Sequence, residues 1–427
     1  MKRYWILALA LVVAACGGGG QAANFTDATD RLEVVSWWVS PSEHPAFEVL
    51  LNAFKAANPK VNVIDGSIAG GGGSNVQVAL AARLRAGDPP DVWQTFLGSS
   101  LRAWVDAGRI ADVSAVYERT GLDHTMPATL LDAATYRVKA WGVPTGSHRG
   151  NNLWFNLRVL HDAGIAVPAA GYTSENFASD LAKVAASGRT ALCLGGKDRF
   201  TATELFENTL LGVIGPDGWA KIRDDSFDWT GPQLKDALTR FGDVVSRADP
   251  SAGALTWDQA AKKLASGDCA FLSMNDSVYG ELVANGATEG KDFGYVPYPG
   301  TAGAYLAIVD TFVVSAQAKD GLNAIKFLET IADPKTSLAF NKVKGSVPIR
   351  NDVDVSSLPA YQRQASEALW HDKILLSMTH GELMPSAFQQ ALYDAVAAFV
   401  QSKNSKSFID TLQNSIAVPI PGDDDAR

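Results

Sequence analysis

Between Ser36 and Glu43 the chain reads Ser-Trp-Trp-Val-Ser-Pro-Ser-Glu, two adjacent indoles followed within one loop by a carboxylate. Indole faces pack on apolar C–H surfaces, and a carboxylate accepts hydrogen bonds from hydroxyls. The combination suits a polar ring such as a sugar. It equally suits one indole in the core and the other covering a loop. The short run Arg31–Val35 just before it predicts a buried first strand. In open α/β sheets, ligands bind in the crevice beyond the carboxyl ends of strands, and the tryptophans fall at such an end.

The elements around this loop alternate. Phe47, Leu50, Leu51 and Phe54 recur at helical spacing, a stripe bounded by Pro45 and by Asn58-Pro59. Val61–Ile64 and Asp91–Phe96 predict further strands, and Leu101–Ala107 another helix. This order predicts a doubly wound parallel sheet. Gly70–Gly73 opens a turn, and Ser74 with Gln77 has the form of a capping box. No lysine follows the glycines, so they are not a phosphate-binding P-loop.

A second α/β pattern follows an extended crossing segment at Ala140–Gly146. Strands are predicted at Leu153–Leu157, Ala191–Leu194 and Cys269–Met274, with helices at Asn176–Ala186, Leu205–Ile214, Leu234–Ser246 and Trp257–Ala265. Further crossings are predicted at Tyr295–Gly300 and Gly345–Pro348. Between them lie a strand, Ile308–Ser315, and a helix, Leu322–Ala332; helices at Ala360–Leu369 and Pro385–Gln401 follow.

Lys2 and Arg3 precede an apolar stretch, Tyr4–Ala15, that is too short to span a membrane comfortably. It ends in Val13-Ala14-Ala15-Cys16, similar to a bacterial lipobox. A signal peptide over 1–15 is therefore expected, with lipidation of Cys16, a flexible tether over 16–30, and export to the periplasm or cell exterior on a membrane anchor. A net charge of −9 argues against nucleic acid, whose phosphates demand clustered cations. Nearly half the residues are apolar, which predicts a globular body of two or more domains. Cys193 and Cys269 both sit in short apolar runs, and a disulfide and two buried thiols are both open. No Cys/His spacing suggests a metal, and no cofactor is expected.

In its segment order the chain resembles the extracellular solute-binding proteins of bacterial ABC sugar importers, the maltose-binding type, and within them the glucose/mannose-binding branch. The resemblance runs from Leu32 to about Val400. It is carried by Ser36-Trp37-Trp38 with Glu43, Ala69–Gly73, Gly87–Asp91, Leu153–Asn156, Lys344–Asn351 and Ser377–His380. It implies a two-lobed α/β fold of the type II periplasmic-binding class, each lobe a mostly parallel sheet flanked by helices, joined by a crossing-strand hinge. Residues 31–141 with 304–344 would form one lobe and 142–303 with 345–421 the other, with 422–427 a disordered tail.

The resemblance further implies a non-catalytic, monomeric carbohydrate-binding subunit that captures a glucose-like monosaccharide by hinge closure and docks on ABC permease subunits. Sugar contacts carry over to Trp37, Trp38, Glu43, Gln94, Trp257, Asp310, Lys344 and His380. Carboxylates would accept from hydroxyls, Lys344 and His380 would donate, and Gln94 would do both. Each desolvated hydroxyl must be paired, because an unpaired one costs about 1–3 kcal/mol. Phe96, Asn152 and Ser277 depart from the glucose-type pattern, removing stacking surface and a basic contact. His148, Arg149 and Asn151 are candidate replacements, and Asp276 is a further candidate contact. The alternatives are an oligosaccharide, cyclitol or polyol ligand, or a glycoside hydrolase drawing two carboxylates from Glu43, Asp310 and Asp276.

Overall fold

The computed structural model describes residues 25–70 and 73–416. The expected signal peptide over 1–15, Cys16 and residues 417–427 lie outside the described residues. Fourteen strands occur among the described residues: β1 (Arg31–Val35), β2 (Asn62–Asp65), β3 (Val92–Phe96), β4 (Thr135–Tyr136), β5 (Lys139–Ala140), β6 (Val143–Pro144) and β7 (His148–Arg149) in the first half. They continue as β8 (Asn152–Asn156), β9 (Thr190–Leu192), β10 (Cys269–Ser273), β11 (Phe293–Pro297), β12 (Ala304–Ile308), β13 (Asp310–Val314) and β14 (Lys373–Leu376).

Three sheets matter for the site. The first has the order β2-β1-β3-β13-β6, the second β11-β8-β10-β9, and the third β14-β12-β7. The sheets are mixed rather than mostly parallel. β1 runs parallel to β2 and β3, but β13 returns antiparallel between β3 and β6. β8 is antiparallel to both β10 and β11.

The expected stripe Phe47, Leu50, Leu51 and Phe54 is buried on the helix Glu43–Ala57. Phe47 stacks on Phe312 of β13 at 6.0 Å between ring centroids, fixing that helix on the first sheet. The helices Gly321–Ala332 and Pro334–Lys344 pack beside it. In the second half, Cys193 and Cys269 form a disulfide with Cα atoms 5.7 Å apart. It ties the end of β9 to the start of β10.

The chain passes between the first and third sheets at three places. β6 pairs within the first sheet and β7 within the third, so residues 145–147 make one passage. β12 and β13 make the second across a single residue, Val309. The third follows Lys344, where Val347 bridges Ser147 with backbone bonds of 2.8 and 3.0 Å.

Several expectations are corrected. Tyr295–Gly300 is not a crossing: Tyr295–Pro297 pairs along β8 inside the second sheet. β12, placed by sequence with the first lobe, instead pairs with β7 and β14. Residues 25–30 are not a free tether. Asp27 bridges Asp320, and Thr29 donates to the Asp320 carboxylate at 2.7 and 2.8 Å, docking this segment on the helix Gly321–Ala332. The capping box at Ser74 does not form, since Gly73 is the N-cap residue.

Candidate functional site

A cleft of about 710 Å³ opens between the first and second sheets, within the size range of small-molecule sites. One wall carries Trp37 and Phe96, whose rings lie 5.0 Å apart. Gly73 backs Trp37: its φ is +98°, and a Cβ there would sit 2.9 Å from the indole. The facing wall carries Trp257 and Phe200. Trp257 opens the helix Trp257–Ser266, and its backbone N–H donates to Asp198 at 2.9 Å.

The base is polar and buried. Lys344 ends its helix with Nζ 3.0 Å from Glu43 Oε1, and it donates to Ser277 Oγ at 2.9 Å. Burial pushes the Glu43 carboxyl up against the opposing pull of Lys344. Asp310 opens β13 and accepts from Gln94 Nε2 at 2.7 Å on one oxygen. His148 Nε2 lies 3.2 Å from its other oxygen. Burial would raise Asp310, but the bonds and charges of His148, Lys344 and Gln94 hold its carboxyl below the ordinary value. His380 is held by Glu204, whose Oε1 lies 2.6 Å from Nε2, and its ring packs 4.9 Å from Phe96.

Eight of the candidates from sequence line this cleft: Trp37, Glu43, Phe96, His148, Trp257, Asp310, Lys344 and His380. Five do not. Trp38 is fully buried among Phe47, Phe312 and Phe340, so it is core and not a second aromatic wall. Successive strand residues point to opposite faces, so adjacent indoles at a strand end do not both face one crevice. Gln94 lies behind the cleft, its Oε1 accepting from Ser36 Oγ and the Trp37 N–H while its Nε2 orients Asp310.

Arg149 turns to the carbonyl of Ala304 and toward Asp372. Asn151 is spent on Thr301, Ala304 and the Leu306 N–H. Asp276 sits behind His148 and accepts from the Arg149 N–H and Tyr361 Oη at 3.1 and 3.0 Å. Of the departures, Ser277 offers its hydroxyl to Lys344, and Asn152 is buried on Arg149 O and Tyr361 Oη.

Sequence reasoning missed Glu204, Phe200 and Asn275. Glu204 accepts from both the side chain and the backbone N–H of Asn275, at 2.6 and 3.0 Å, so it shapes the wall carrying His380. The signal was present: Glu204 and Glu207 stand three apart beside the apolar Leu205 and Phe206, and a buried acid needs partners.

Two α/β layers joined by three chain passages around one polar, aromatic-walled cleft define a two-lobed ligand-binding protein. The chain belongs to the bacterial extracellular solute-binding protein family, whose model matches residues 40–337. A probable sugar-binding periplasmic protein of Brucella melitensis is 30% identical over 396 residues, 91% of this chain and 92% of that one. The solved structure of a bacterial solute receptor described as having an exclusive preference for β-D-galactopyranose matches with a TM-score of 0.77 at 18% identity, covering 90% and 97% of the two chains. A chitin oligosaccharide binding protein matches with a TM-score of 0.78 at 18% identity over the same shares. These two structures bear on the fold alone, and it is the type II two-lobed fold expected from the sequence. Among the described residues, no helix is long and apolar enough to cross a membrane.

Proposed function

We propose that this chain is the sugar-capturing subunit of an ABC importer, without catalysis of its own. The observation that carries the reading is the base of the cleft. Glu43 and Lys344 at the ends of two helices, Asp310 at the start of β13 and His380 in the segment after β14 converge there, between aromatic faces on opposite walls. Carboxylates and cationic donors give each sugar hydroxyl a charged partner, and such bonds contribute about 1.5–3 kcal/mol each. Trp37 and Phe96 offer apolar surface to the C–H face of a ring. Closure of the lobes about residues 145–147, Val309 and 345–347 would enclose the sugar, driven by its greater affinity for the closed state. A hexose unit of glucose-like shape is the ligand the base suits. Lipidation at Cys16, a monomeric state and docking on permease subunits complete the reading.

A second reading is favoured by the cleft's size and its outer rim. Lys197, Arg199, Asn75 and Gln390 lie beyond the base and extend the polar lining past one ring, as an oligosaccharide would need. A hydrolase draws no support from Asp276, which lies off the cleft. Calorimetric titration of the purified chain with mono- and oligosaccharides tests both readings. Micromolar binding, abolished in Lys344→Met, is expected; binding only of oligosaccharides selects the second reading, and no binding to any saccharide overturns both.

A further inference from the structure

His148 lies between charged groups carried by opposite sides of the cleft. Its Nδ1 contacts Asp276, which follows β10 of the second sheet. Its Nε2 faces Asp310, which opens β13 of the first sheet, at 3.2 Å. Lys344 Nζ stands 3.3 Å from the same nitrogen. Both ring nitrogens are therefore taken up by the protein, and neither is free to serve a ligand. A neutral imidazole carries one N–H and can donate to one carboxylate; an imidazolium donates to both. The carboxylates are fixed from behind: Asp276 by Tyr361 Oη and the Arg149 N–H, Asp310 by Gln94 Nε2.

We propose that His148 is a positioning residue, an imidazolium clamp that ties Asp276 to Asp310 and sets the orientation in which Asp310 meets the ligand, so that capture weakens when the clamp loses its proton. The ligand half of this statement rests on the sugar reading above; the charge state of His148 does not.

Every charged or titratable neighbour bears on the sign. Burial and the Lys344 ammonium drive the proton off, while the charges and hydrogen bonds of Asp276 and Asp310 hold it on and prevail. Glu43 offsets Lys344 from the far side, and Tyr361, Tyr305 and Arg149 close the pocket around Asp276. The folded-state value is thus raised above the ordinary histidine value. The clamp is complete below that ordinary value and is lost as pH rises through the raised one. On deprotonation Nε2 becomes an acceptor. It then draws Lys344 away from Glu43 and Ser277 and leaves Asp310 without its charged donor.

The test begins without ligand. In the full chain labelled with ¹⁵N-histidine, imidazole spectra at pH 6.5, the ordinary histidine value, are expected to show one residue with protons mainly on both nitrogens, absent in His148→Gln. Its midpoint should lie above the ordinary histidine value of 6.5. Asp276→Asn keeps the ring in place and should lower that midpoint, which covers the case of a poorly folding His148 variant. A single neutral tautomer at pH 6.5 overturns the proposal.

The second arm titrates D-glucose, D-galactose and chitobiose across pH. Affinity of whichever binds should fall as pH rises through the midpoint of His148, by at most about tenfold per unit of pH above it, with a flat profile in His148→Gln. An unchanged slope in that variant overturns the positioning role. Failure of all saccharides to bind sinks the sugar reading, while the imidazole spectrum still decides the clamp.

Discussion

Lys344 Nζ lies 3.0 Å from Glu43 Oε1 with both side chains almost wholly buried, joining the last residue of one helix to the first residue of another. The pair sits at the floor of the cleft, where removal of either partner leaves a desolvated charge. Lys344→Met is expected to destabilise the fold by about 3–5 kcal/mol at neutral pH, the range for breaking a buried pair. Because the Glu43 carboxyl is already raised by burial, it protonates readily once Lys344 is gone, and the loss should shrink near pH 5. Urea midpoints at pH 8 and pH 5 read this out; equal losses at both would show that Glu43 is not the residue left stranded.

Stability should peak in mildly acidic solution. Burial raises Glu207 to about 7 despite its bonds from Met378, Thr379 and Ser377. Between its ordinary value of 4.5 and about 7 the folded chain binds more protons than the unfolded one, so stability falls as pH rises, by about 3 kcal/mol. Glu382, also raised, acts in the same direction. His148 contributes stability below its ordinary value that is lost as pH rises through its raised one. Asp310, held low, contributes stability above its ordinary value that is lost as pH falls through the depressed one. Denaturation from pH 4 to pH 9 should show the maximum, and Glu207→Gln should flatten the slope between pH 5 and 7.

The two neighbouring tryptophans should separate cleanly. Trp38→Ala empties a core position and is expected to lose about 3–5 kcal/mol. Trp37→Ala should weaken sugar binding at least tenfold with the smaller loss of stability. Thermal melts beside titrations distinguish them, and equal stability losses would mean that Trp37 is also core.

The Cys193–Cys269 bridge closes a loop with a sequence separation of 76. By loop-closure entropy it should contribute about 4 kcal/mol. Comparing urea midpoints with and without reductant measures it; a midpoint that does not move would show that the reduced chain keeps the same restraint.

The lobes were legible where periodicity was strong. The stripe on Glu43–Ala57, the strand at Arg31–Val35 and the order of segments all follow from local pattern. The helix Pro334–Lys344 escaped because its moment is weak and its ends are set by Asp333 and Gly345, not by an apolar stripe. At the site, residue types were readable but partners were not. His148, Asp276 and Asp310 meet across more than a hundred residues, and no spacing in the chain encodes which nitrogen faces which oxygen. The same holds for Glu204, which the helix expected at Leu205–Ile214 left out by one residue and whose contact with His380 no local pattern shows.

The strand β13 carries a kinetic consequence. It fills the gap between β3 and β6, so Gln94 finds its cross-strand partner only at Phe312. Helix Glu43–Ala57 likewise waits for Phe312 to cover Phe47. A chain growing from its N-terminus cannot finish its first layer until most of its second has been made. Such long-range pairing slows closure, and it keeps the leading half of the molecule unsealed for as long as the trailing half is missing.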